Sequence, residues 1–270
     1  MTYRTITCEI TGRVARVTLN RPEKLNALNA AMLEELLAAF ADIAANADVN
    51  VMTITGAGRG FCAGVDTASD FFLQADAKGK VLNGGRDFAV SLFSQHRMIK
   101  ALADMPQITI AGVHGICVGG GGFGMAMACD MRVAADDARF WMIPGKVGVV
   151  QDFGIPWYLE RLIGTAKTLE LLLTGEPVNG AQAAALGFVN AAVVPERVAA
   201  ETAALADKIA AGAPLGVRLL KQCVYRGLHL TIQEQLDTEA VTNGLLTSTE
   251  DGGEGFIAYR DKRAPRFTGR

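Results

Sequence analysis

Six residues constrain the fold more than any other stretch of this chain: the run Gly-Gly-Gly-Gly-Phe-Gly at 119–124. It follows the apolar run 108–113 and precedes the small-residue segment 125–129. An extended run feeding a glycine cluster and then a helix reads as a tight strand-to-helix turn, where glycine accepts backbone angles other residues avoid. The first N–H groups of a helix lack intrahelical partners, and partial positive charge collects there. Such a turn is either a close-packing device or a seat for an oxyanion, and so many glycines in so short a span favour a ligand-facing loop. Gly119, Gly121 and Gly124 also fit a dinucleotide-binding fingerprint, which requires an acidic residue about 20 positions further on. Arg139-Phe-Trp-Met-Ile stands in that region, so a nicotinamide cofactor is not expected.

With 270 residues, 50% hydrophobic and 20% charged, the chain can bury a large core. A net charge of -2 and a pI near 6.0 give no electrostatic reason to expect nucleic acid or an anionic membrane as partner. Five cysteines and three histidines occur without metal-ligand spacing, so no metal and reduced thiols are expected. No run of about 18 apolar residues is present to span a bilayer, and residues 1–5 lack a signal-peptide pattern. A cytoplasmic, soluble protein is the resulting expectation.

Residues 14–19 and 51–55 read as strands, separated by an amphipathic helix over 30–45 with Asn29 as N-cap. Strand, helix, strand predicts an α/β layer with right-handed crossovers. The second strand leads into Phe61-Cys-Ala-Gly-Val-Asp66, another glycine-bearing turn at a strand end. Alone it reads as an ordinary turn. Converging with the 119–124 run, it would supply a two-donor oxyanion hole, in which each donor is worth about 2.7–4 kcal/mol to a transition state. Residues 68–83 have no clean period and read as a covering loop or short helices over a site, and 86–103 read as a helix carrying His96 in a surface or packing role. Short strands are expected over 131–135, 138–143 and 188–194, and helices over 157–163, 166–174 and 180–186. Asp152 lies among Val149, Val150 and Phe153. It reads either as a turn residue or the N-cap of the 157–163 helix, or as a carboxyl whose pKa is raised by desolvation toward acid–base use. Helices over 196–211, 217–228, 232–246 and 255–263 follow without strands between them, a helical appendage after an α/β core.

Taken jointly, several motifs give the chain a resemblance to the crotonase superfamily, the enoyl-CoA hydratases and isomerases, over essentially its whole length. They are Asn20-Arg-Pro-Glu-Lys-Leu-Asn-Ala-Leu28, Thr55-Gly-Ala-Gly-Arg-Gly-Phe-Cys-Ala-Gly-Val-Asp66, Val113-His-Gly, and the glycine run through Ala128-Cys-Asp130. Leu173-Thr-Gly-Glu176, Ala183-Ala-Ala-Leu-Gly-Phe-Val189, Glu254-Gly-Phe256 and Lys262-Arg-Ala-Pro-Arg-Phe267 complete the set. The resemblance implies an α/β crotonase-type spiral of ββα repeats over 1–195 and a C-terminal helical trimerisation region over 196–270, in a homotrimer or hexamer. It implies an acyl-CoA thioester as substrate, with coenzyme A part of that substrate and no separate cofactor. The thioester oxygen would sit between the N–H groups of Ala63 and Gly121, with Gly120 the alternative because the loop from Gly115 is one residue longer than usual. Lys24, Leu25, Ala63, Val65 and Asp66 would line the adenosine and pantetheine path, with Tyr259 and Lys262 of a neighbouring chain near the CoA phosphates. Phe71, Trp141 and Phe153 would help shape the acyl pocket.

The departures from the family pattern bear on the chemistry. Hydratases of the family place two glutamates at positions that here are Gly124 and Pro144. Adding water across a conjugated alkene normally relies on that pair. What stands instead is Asp152, at the site where isomerases and aryl-CoA dehalogenases of the family carry a working aspartate. One base suffices to move a proton through an enolate held by paired N–H groups. The expectation is therefore an acyl-CoA isomerase, shifting a double bond or rearranging a ring, with Asp152 as proton shuttle. A hydratase, hydrolase or dehalogenase using Asp152 and a non-catalytic acyl-CoA-binding scaffold are the alternatives.

Overall fold

A computed structural model describes residues 3–68, 85–142 and 148–270. In chain order the strands are β1 (Ile6–Thr11), β2 (Val14–Leu19), β3 (Val51–Gly56), β4 (Ile108–Val113), β5 (Ile116–Val118), β6 (Met131–Ala135), β7 (Arg139–Trp141), β8 (Val178–Asn179) and β9 (Ala191–Val193). A six-stranded sheet runs β1-β2-β3-β4-β6-β9, antiparallel only between β1 and β2. A smaller sheet runs β5-β7-β8. β4 is buried at every residue, as its uninterrupted apolar sequence requires of a central parallel strand.

The helices are α1 (Ala30–Ala45), α2 (Gly85–Ala103), α3 (Met125–Ala128), α4 (Ile155–Ile163), α5 (Thr165–Thr174), α6 (Gly180–Leu186), α7 (Val198–Ala210), α8 (Pro214–Gly227), α9 (Ile232–Thr247) and α10 (Glu250–Arg260). α1 begins where its cap dictates: the Asn29 side chain accepts the Met32 N–H at 3.0 Å. Its buried stripe, Met32, Leu33, Leu36, Phe40 and Ile43, joins the main core. α7 covers the large sheet elsewhere, placing Ala206 and Ala210 against Val14, Val51 and Ile110.

Several boundaries moved from the sequence reading. The strand expected over 188–194 shortens to β9, because Phe188 turns inward to pack its ring on Phe123 and Phe140. The helix expected from 217 begins at Pro214, whose missing N–H is harmless in a first turn. The last helix ends at Arg260 and begins earlier than expected, with the Thr249 side chain accepting from the Gly252 N–H.

α8 is fastened to the core through one buried carboxylate. Asp130 accepts from Lys221 Nζ at 2.7 Å, Tyr225 OH at 2.8 Å, and the Thr109 N–H at 2.7 Å. No residue of α9 is buried. Among the described residues, no helix is long and apolar enough to cross a membrane.

Candidate active site

Two turns at strand ends make the site. After β3, residues 61 and 62 lie along β5: the Phe61 N–H donates to His114 O and the Cys62 N–H to Ile116 O, while the Val118 N–H returns to Cys62 O at 2.9 Å. That pairing carries the Ala63-Gly64-Val65 turn alongside the glycine run. Gly64 has φ +101°, and a Cβ there would stand 3.1 Å from Val118 O, so only glycine fits without strain. The glycine run leaves β5 through Gly119 at φ +56°, makes one wide π-type turn over Gly120–Gly124, and continues into α3. A Cβ on Gly121 would lie 2.8 Å from the Gly64 carbonyl carbon, and one on Gly122 would lie 2.3 Å from Cys62 O. The two turns expected to converge are thus in backbone contact.

The donor pair differs from the expectation at one member. The Ala63 N–H is already committed, donating to Leu25 O at 2.9 Å. Two residues on, Val65 lies in a short parallel bridge with Leu28, in which Leu28 donates to Gly64 O and Asp66 donates to Leu28 O. In that pairing the Val65 N–H is directed away from Leu28, and it has no hydrogen-bond partner among the described residues. The amide available on this turn is therefore Val65, one peptide bond from the Gly64 carbonyl that Gly121 touches. On the other turn, the N–H groups of the first helical residues have no acceptor within the helix. Gly121 faces the Val65 turn. Gly120 faces Phe153 instead: a Cβ on Gly120 would lie 2.0 Å from Phe153 Cδ2.

Phe153 joins the glycine turn to the acid. It sits at φ +54°, 1% exposed, and a Cβ on Gly124 would lie 2.6 Å from its Cβ. At one of the two positions expected to lack a glutamate, the space beside the backbone is therefore filled by this phenylalanine. The other, Pro144, lies outside the described residues. Asp152 precedes Phe153 and is half-buried. Burial raises its carboxyl above the usual carboxylate range, and the electrostatic influence of His96 opposes that rise. Asp152 is not the cap of α4, whose N-cap is Gly154; only its backbone carbonyl takes part, accepting the Ile155 N–H. The acid side chain is left for other work.

His96, read from sequence as a surface or packing residue, lies against Phe153 in this site. Its ring meets the Phe153 ring edge-on at 5.1 Å, and its Nε2 accepts the Phe153 N–H at 3.4 Å. The partners are 57 positions apart, and no local pattern in α2 marks one polar residue among several.

The remaining expected site residues divide by place. Leu25, at φ +49°, and Lys24 form the turn whose carbonyl holds Ala63. Asp66 is held by Arg21 at 2.9 Å, and that guanidinium keeps its carboxyl below the usual range. Trp141 pairs with Val118 at the entrance to the glycine run, and its indole N–H donates to Gly175 O at 3.0 Å. Phe71 lies outside the described residues. Tyr259 and Lys262 lie in the C-terminal region; Tyr259 is 89% exposed and lines, with Leu215, Leu246, Phe256 and Phe267, a cavity of ≈ 380 Å³.

A family model described as enoyl-CoA hydratase/isomerase matches residues 9–270. A protein of Mycobacterium tuberculosis (strain CDC 1551 / Oshkosh) named as a probable enoyl-CoA hydratase is 35% identical over 271 residues, covering 100% of both chains. An (E)-benzylidenesuccinyl-CoA hydratase of Thauera aromatica is 32% identical over 98% of this chain and 99% of its own. The crystal structure of an enoyl-CoA hydratase from Bacillus anthracis superposes with a TM-score of 0.89 at 29% identity, covering 99% of this chain and 100% of that one.

Proposed function

Because the chain belongs to the enoyl-CoA hydratase/isomerase family of the crotonase superfamily, we propose that it is an acyl-CoA isomerase working through a thioester enolate. The thioester oxygen sits between the N–H groups of Val65 and Gly121, where charge developing on oxygen meets fixed donors. Asp152 removes a proton from a carbon beside the thioester and returns it elsewhere on the acyl chain, moving the double bond. Its raised pKa suits both halves of that transfer.

One observation carries this reading: Phe153 fills the side-chain space at Gly124, leaving Asp152 as the acid beside the glycine turn among the described residues. His96 supports a second reading. An imidazole next to Asp152 could hold a water, and the relatives bear hydratase names, so hydration or hydrolysis of the thioester is the rival. The exposed apolar residues Leu220, Val224, Leu228, Ile232, Leu236 and Leu245 on and around α8 and α9 support a homotrimer or hexamer, in which Tyr259 and Lys262 would reach a neighbour's CoA.

Turnover of a 3-enoyl-CoA panel followed at the thioester-enone absorbance, alongside hydration of 2-enoyl-CoA, separates these. Isomerisation lost in Asp152→Ala, with CoA-ester binding kept, is the expected result. Isomerisation indifferent to that substitution overturns the shuttle. Binding without turnover of any ester would make the chain a scaffold.

A further inference from the structure

Residue 151 has no role in the site described so far, yet its side chain is built into it. Gln151 is 8% exposed, and its Nε2 lies 3.4 Å from Asp152 Oδ1. Its Oε1 is buried and has no hydrogen-bond partner among the described residues. Most buried polar atoms find a partner; the oxygens of Asn50 and Gln107 also lack one among the described residues, but their nitrogens bond backbone carbonyls, whereas that of Gln151 faces the acid. The two ends of an amide are about 2.3 Å apart, so the empty acceptor lies within about 6 Å of the carboxylate that its nitrogen faces.

The arrangement makes chemical sense if Asp152 changes its proton during the reaction. An ionised carboxylate is acceptor-only and matches the Nε2–H₂ end of the amide. A protonated carboxyl has an O–H to donate and matches the Oε1 end. Rotating the amide by 180° exchanges those ends without moving the rest of the side chain. We propose that Gln151 is a positioning residue for Asp152, holding the carboxylate through Nε2 and, after amide rotation, the carboxylic acid through Oε1, so that the shuttle keeps one orientation in both of its states. This deepens the isomerase reading, since only a group that takes up and returns a proton needs a partner for each state. Contacts of this kind are often long before substrate binds and shorten in the complex.

Asp152 takes one hydrogen bond from its own backbone, and the Phe153 and Ile155 amides of the turn that follows are committed elsewhere. Phe153 at φ +54° and Gly154 at φ +73° follow it, the Phe153 N–H is spent on His96 Nε2, and Ile155 takes Asp152's carbonyl. Among the described residues, the titratable group that acts on Asp152 from a packed element is His96 on α2. Gln151 is the neutral one. Its donor favours the ionised form, so its removal raises the carboxyl's pKa.

The test reads the carboxyl directly, independent of turnover. The side-chain ¹³C signal of Asp152, assigned by its loss in Asp152→Asn, is titrated in the wild type, Gln151→Met and Gln151→Glu. Methionine keeps the length and apolar volume but neither hydrogen-bonding end, and it should raise the midpoint by about one pH unit. Glutamate adds a like charge and should raise it further while splitting the titration into two coupled steps. The acidic limb of the kcat profile should move with the midpoint, with KM for the acyl-CoA unchanged. Unchanged midpoints in both folded variants overturn the proposal. If the midpoints move but no variant, wild type included, isomerises an acyl-CoA, the Gln151–Asp152 coupling stands and the isomerase reading falls. Should Gln151→Met not fold, the Gln151→Glu titration alone decides.

Discussion

Gly120→Ala is the smallest change that should disturb the site, and its effect can be worked from the geometry. The added methyl would lie 2.0 Å from Phe153 Cδ2 and 2.5 Å from both Cε2 and Cγ. Carbon atoms in contact rest about 3.5–4.0 Å apart, so the ring has to retreat by about 1.5 Å or the turn has to open. The ring has little freedom: it is 1% exposed, stands edge-on to His96, and belongs to a residue held at φ +54°. Overpacking of this kind costs about 1–3 kcal/mol. At about 2–4 °C per kcal/mol for a chain of this size, the melting temperature should fall by about 2–12 °C. Asp152 is bonded to the displaced residue, and a misplacement near 1 Å in a reacting group can lower turnover by about 10²-fold.

Scanning calorimetry and single-turnover kinetics measure the two effects separately. Gly244→Ala is the control: it makes the same chemical change within α9, where a Cβ meets nothing within 4 Å, and should gain about 0.5–1 kcal/mol from reduced backbone freedom. Adding Phe153→Leu to Gly120→Ala should recover part of the lost stability by vacating the clash. A Gly120→Ala protein with wild-type melting refutes the contact. One that melts early but turns over normally refutes the coupling from the glycine turn to Asp152.

Two other perturbations have a definite sign. Lys221→Met leaves Asp130 buried without its counter-ion, where both side chains are under 10% exposed, and should lower unfolding stability by about 3–5 kcal/mol in denaturant melts while sparing the local Asp152 titration. Asp152 itself has its folded-state pKa raised, so the folded protein binds a proton that the unfolded chain has released. Its contribution is fully present below the unfolded value of about 3.9 and is lost as pH rises through the raised folded value; comparing wild-type and Asp152→Asn stabilities across that window should show the wild type falling relative to the variant. A flat difference across the window would mean that Asp152 titrates alike in both states.

Much of this protein was legible residue by residue. Asn29 ahead of an apolar stripe set the start of α1, the unbroken run 108–113 marked a central strand, and the glycine cluster identified the strand-to-helix turn. Asp152 stood out as an acid among apolar neighbours. Each of these signals is local, carried by side-chain period, capping chemistry or backbone permissiveness within a few positions. What tertiary structure alone decided lies at contacts between distant segments. Whether Ala63 or Val65 keeps a free N–H depends on which one the carbonyl of Leu25 reaches, because an irregular loop has no periodicity from which to count. His96 becomes a site residue only when α2 brings it to Phe153, 57 positions away, and Lys221 finds Asp130 across 91. Local chemistry named the acid and the turn; the packing of the chain on itself determined which amide stays open beside them.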